Sequence, residues 1–161
     1  MRGQKQKKVW LAKSMVLLVL LAGSTANAET QWFTVEGDTK QSAMDTVEVD
    51  ILSLSRDGNN RSMDVRVSRS TLRSSWEGVP YRSYTAQVVF DCAQQTAGYK
   101  WLAFHMLPLW AGPVHATTRY AANELRPMLF VGSQPNPAQR IINAACRTPL
   151  DKDDSASTRQ P

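Results

Sequence analysis

Arginines crowd one stretch of this chain: Arg61, Arg66, Arg69 and Arg73, bordered by Arg56 and Arg82, with Trp76, Tyr81 and Tyr84 close behind. A guanidinium presents a planar fork of donors that fits sulfate, carboxylate or phosphate. Arg66, Arg69 and Arg73 are therefore candidate contacts for a small anionic ligand such as a sulfated glycan. The alternative is a solvated strand face balanced by Asp57, Asp64 and Glu77. Material for catalysis is scarce. The histidines are His105 and His115. His105 lies in the most apolar stretch and reads as a hydrogen-bonded core histidine, with haem ligation as the alternative. In that second reading Tyr99, Trp101, Phe104 and Trp110 line the haem pocket; otherwise they are core. His115 reads as an exposed loop residue. No GxSxG, P-loop, HExxH or dinucleotide fingerprint occurs, so no local motif supplies a nucleophile with its base or a phosphate cradle. Glu48 and Asp50 share one strand face, which a solvated surface explains. These residues predict a non-enzymatic chain with no metal site and no resident cofactor, haem excepted.

The termini and the cysteines set the compartment. Arg2, Lys5, Lys7, Lys8 and Lys13 form a basic stretch without an acidic residue, and Met15 to Ala22 is a short apolar run. Ala26-Asn27-Ala28 then supplies the small-x-small pattern of a signal-peptidase site. Residues 1–28 read as a cleavable signal peptide cut between Ala28 and Glu29. The run falls short of the roughly 20 apolar residues of a spanning helix, and no later stretch replaces it, so no transmembrane segment is expected. Five of the 19 basic residues and none of the 14 acidic ones precede Glu29, so the remainder carries 14 of each. Its net charge is zero, and the basic balance of the whole chain gives no case for a nucleic-acid partner. Cys92 and Cys146 are the only cysteines. In an exported chain such a pair points to a disulfide, the alternative being two buried free thiols.

These side chains need a scaffold, and the dominant period is two, which predicts mainly β-structure. Residues 31–35 read as a short strand. Val47 and Val49 alternate with Glu48 and Asp50, and Met63, Val65 and Val67 alternate with Asp64, Arg66 and Ser68 around a turn at residues 56–61. The longest strand runs from Tyr81 to Cys92 with Tyr84, Ala86, Val88, Phe90 and Cys92 on one face. A hairpin at residues 93–98 leads to a strand over Tyr99 to Met106 that is apolar on both faces. Residues 107–136 are broken by Pro and Gly, and loops with a short strand at Met128 to Val131 are expected there. Asn136-Pro137-Ala138-Gln139 is a helix start, and a helix from Pro137 to about Cys146 presents Ile141, Ile142 and Ala145. Residues 148–161 lack periodicity and read as a disordered tail. The fold class expected is α+β: a small antiparallel sheet with a C-terminal helix packed on it and one disulfide.

The order of these features resembles a known family. Gln31-Trp32-Phe33 opens the first strand, Val49-Asp50-x-x-Ser53 precedes a Gly turn, and Phe90-Asp91-Cys92 ends the long strand. A Pro-rich segment then leads to a capped helix ending in Cys146. Over residues 31–147 this is similar to the surface-adhesin protein E-like domain of Gram-negative bacteria. The resemblance implies a structural disulfide, a tendency to dimerise, and binding of host matrix or serum proteins and of haem. Trp32, Asp50, Cys92 and Cys146 carry over as structural positions. Unlike a lipoprotein, the chain has no cysteine at Ala28 to carry a lipid anchor. The expectation is a periplasmic or secreted binding domain whose partner is another protein or a second copy of itself; the alternative is a periplasmic binder of haem or a small anion.

Overall fold

A computed structural model describes residues 30–150. The expected signal peptide, its expected cleavage point between Ala28 and Glu29, and the expected tail beyond Leu150 lie outside the described residues. Strand alternation produces an antiparallel meander in which each strand pairs with the next: β1 (Trp32–Glu36), β2 (Thr46–Asp57), β3 (Asn60–Ser74), β4 (Pro80–Asp91), β5 (Thr96–His105) and β6 (Ala116–Arg119). A two-residue strand, β7 (Arg126–Pro127), shares the outer edge of β5 with β6. Helix α1 (Ala138–Arg147) follows.

Period two sorts side chains onto the two faces of this sheet. Cross-strand rows Val47–Val67–Tyr84–Phe104 and Val49–Val65–Ala86–Leu102 form the inner face. They are all buried, together with Met128, Phe130 and the Ile141, Ile142 and Ala145 stripe of α1. Burial of these apolar surfaces is the main favourable contribution to the fold. The predicted helix is present. Asn136 Oδ1 accepts from the Ala138 amide at 2.9 Å, and Pro137 has helical angles with its carbonyl bonded to the Ile141 amide. Gln139 turns to Asn143 instead of completing a capping box. At the other end Arg61 donates to the carbonyls of Ala145 and Thr148, satisfying groups a helix C-terminus leaves open. Cys92 and Cys146 form a disulfide with Cα atoms 5.5 Å apart. It ties α1 to the end of β4.

The Pro/Gly-rich segment departs from expectation. No strand forms at Met128 to Val131; the nearby pairing is β7, which ends at Pro127. From there the chain lifts off the sheet edge, burying Met128 and Phe130 while Leu129 and Val131 stay exposed. Alternation of burial persists without a strand, because the core holds the segment on one side only.

Candidate functional site: an aromatic cavity on the inner face

Irregularity in β3 makes the cavity. Pairing with β4 slips between Ser68 and Arg73, and Asp45 fills the slip, accepting from the Ser70 amide at 2.7 Å and from Arg69 Nη1 at 2.8 Å. Such a bulge re-aims side chains. Arg69 points inward, 4% exposed, and its Nη1 also donates to Ser133 Oγ at 2.7 Å. Its Nε is buried without a hydrogen-bond partner, an arrangement that costs free energy. Burial opposes charge on Asp45, but the Ser70 amide and Arg69 outweigh it and hold its pKa below the ordinary carboxylate range. The pair stays ionised.

Around Arg69 lies a cavity of about 300 Å³. Tyr81, Tyr84, Tyr99 and Phe104 wall it, Leu102 lies at its base, and Leu129 to Val131 close one side. The rings pack edge to face, Tyr81 on Tyr84 at 5.4 Å and Tyr84 on Tyr99 at 5.8 Å. The Tyr84 and Tyr99 hydroxyls share a 2.7 Å hydrogen bond. Desolvation pushes both phenols well above their ordinary pKa, so this bond is between neutral groups. Arg73, Ser74 and Trp76 stand at the exposed mouth. Arg73 reaches it across Gly132, where a Cβ would lie 3.2 Å from its Nη2 and where φ is +84°. Glycine is the residue that suits both conditions.

The outer face is also structured. Arg66 Nε bonds Glu48 at 2.6 Å, and its guanidinium lies between the Trp32 and Trp110 rings, 4.3 and 4.0 Å from their centroids. Cation–π attraction adds to the ion pair there. Trp110 is held by its indole N–H on the Tyr84 carbonyl and its amide on Ser83 Oγ, both at 3.0 Å. The expectation of a solvated Glu48/Asp50 face is therefore corrected: they are 3% and 2% exposed. β1 and the loop after β5 cover that face. Asp50 Oδ1 accepts from the Gln31 and Leu52 amides, and Ser53 bridges the Asp50 carbonyl and the Asp64 amide.

The structure thus divides the residues singled out from sequence. Arg69 and Arg73 meet at the cavity with Trp76, Tyr81 and Tyr84. Arg66 lies on the opposite face, and Arg61 caps α1. His105 is buried at the end of β5 with Nδ1 3.1 Å from the Gly112 carbonyl, as the core reading has it, and does not line the cavity. The aromatic set assigned to a haem pocket is split likewise: Tyr99 and Phe104 line the cavity, whereas Trp110 covers Arg66 and Trp101 is in register with Gln87 on the outer face. His115 is exposed. Among the described residues no group of three or more His, Cys, Asp or Glu is placed to hold a metal ion. Nor is any described helix long and apolar enough to cross a membrane. Sequence reasoning missed Asp45, Ser133 and the Leu129–Gly132 segment. The one available signal was the hydrophobic alternation Met128, Phe130, read as a strand.

No curated protein and no solved structure matches the chain significantly. The family model described as surface-adhesin protein E, however, matches residues 32–147. That span takes in every described strand, the bridge, the cavity and the whole of α1, and so this chain belongs to the surface-adhesin protein E family, as an adhesin-like binding domain.

Proposed function

We propose that this chain is exported and acts as a protein-binding adhesin, engaging extracellular-matrix or serum proteins through the apolar mouth of the cavity. The observation that carries the reading is the composition of that mouth. Trp76, Leu129 and Val131 are 53%, 52% and 70% exposed and stand beside Arg73. Exposed apolar side chains gathered at one place mark interaction surfaces, and Trp with Arg is the composition of binding hot spots. The Ala26-Asn27-Ala28 motif and the Cys92–Cys146 bridge support a periplasmic or secreted location, since disulfides persist in oxidising compartments.

The test is solid-phase binding of the disulfide-bonded chain to a panel of matrix and serum proteins. Saturable binding to at least one is expected, weakened about tenfold or more in the Trp76→Ala/Val131→Asp double variant, the loss typical of a truncated hot spot. No saturable binding, or binding unchanged in the double variant, overturns the proposal.

A further inference from the structure

We infer that the cavity itself binds a small organic carboxylate carried on a flat aromatic body. The reading does not rest on the adhesive one, because a small molecule seated in the recess with its charge on Arg73 needs no protein partner at the mouth. Three observations converge. The walls are rings, and a volume of about 300 Å³ sits at the lower end of the range of small-molecule pockets. Among the described residues, the charged side chains lining it are Arg69 and Arg73, with no Asp or Glu. Asp45 takes one nitrogen of Arg69, but Arg69 Nε is buried and unpartnered, and Arg73 makes no salt bridge among the described residues.

Each observation narrows the ligand. One unpaired guanidinium at the mouth calls for a single negative charge, which favours a carboxylate over a dianion. A guanidinium fork meets a planar carboxylate with two parallel hydrogen bonds. Tyr81, Tyr84 and Phe104 leave an edge-and-face lining that a flat ring system fills with the same packing the rings use among themselves. The body is thus apolar and one or two rings in size, and its carboxylate meets Arg73. Two sources share this chemistry: a free aromatic acid, and the C-terminal aromatic residue of a polypeptide.

Amide chemical-shift titration of the isotope-labelled, disulfide-bonded chain tests it, with 2-naphthoate, uncharged 2-naphthamide and N-acetyl-phenylalanine as probes. Saturable shifts confined to residues 69–76, 81–84, 99–104 and 129–132 are expected with 2-naphthoate, and binding at least tenfold weaker with the amide. Arg73→Gln should erase that difference, and Ser74→Trp, which places a large ring at the mouth, should abolish binding. Tighter binding of N-acetyl-phenylalanine than of 2-naphthoate assigns the site to a chain terminus; the reverse assigns it to a free acid. Equal affinity for acid and amide, shifts elsewhere on the molecule, or no saturable binding of either acid overturns the inference. The acid-against-amide comparison uses the wild-type chain, so it stands even if a variant fails to fold.

Discussion

At the scale of single residues, two carboxylates of the interior are placed where an arginine neutralises them. Glu48 has Arg66 and Asp45 has Arg69, and breaking such a buried pair costs about 3 kcal/mol or more because it strands the survivor. Asp64 differs. It sits directly across from Asp50 in the β2–β3 ladder, and its Oδ1 is buried without a partner. Desolvation, and then the Asp50 charge, raise its pKa. A carboxyl whose pKa is raised by folding weighs against the folded state while ionised, and that penalty is relieved as pH falls through the raised value. Asp64→Asn should therefore raise the melting temperature by a few degrees at pH 7, with the advantage shrinking as the pH approaches 4. Thermal melts across that range would show it. A lower melting temperature at pH 7, or a gap independent of pH, would count against it.

At the scale of elements, the long strands were legible and their breaks were not. Val47/Val49, Met63/Val65/Val67 and Tyr84/Ala86/Val88/Phe90 alternate plainly, and Asn136-Pro137 announces α1. The same period of two separates Arg66 from Arg69, three residues on, so their division between faces was implicit in the sequence; Arg73 lies beyond the β3–β4 slip, where that count no longer applies. What alternation does not reveal is the covering of the outer face, because Gln31 and Trp110 reach Asp50 and Arg66 from distant parts of the chain. Nor does it reveal the bulges. In β2 the pairing slips between Asp50 and Ser55, and the Val49-Asp50-x-x-Ser53 motif turns out to be the device that closes this slip. Ser53 Oγ donates to the Asp50 carbonyl at 2.6 Å and accepts from the Asp64 amide at 2.7 Å. Ser53→Ala leaves both groups without that partner, which costs about 1–3 kcal/mol. Urea unfolding should show a lower midpoint with an unchanged slope. An unshifted midpoint would mean that the bulge is held by Asp50 alone.

At the scale of the whole molecule, the cavity depends on elements far apart in sequence. Its ring wall comes from β4 and β5 and its arginines from β3, but another side is the Leu129–Val131 segment, which precedes α1. Tyr81 and Tyr84 were legible as neighbours of the arginines; that segment was not, because its place is set by what anchors it. Leu109 and Trp110 show the same dependence, adopting φ of +53° and +57°, uncommon for such side chains, while held by Ser68 and Ser83. For residues 128–137 the anchor is α1, fixed by its Ile141/Ile142/Ala145 stripe, by Arg61 and by the bridge. Cys92 and Cys146 are 54 positions apart, a loop whose closure is valued at about 4 kcal/mol in the chain-entropy account. For a domain of this size that corresponds to a melting temperature lower by roughly 15 °C. Cys92→Ser should show this fall while the far-UV spectrum of the sheet persists at 25 °C, since the valine and aromatic rows do not involve the bridge. It should also raise amide exchange in residues 128–146 ahead of β3 and β4, because loosening α1 releases the cavity side before the wall. A melting temperature unaltered by the substitution would deny the bridge its stabilising role, and uniform exchange across sheet and helix would deny the order of release.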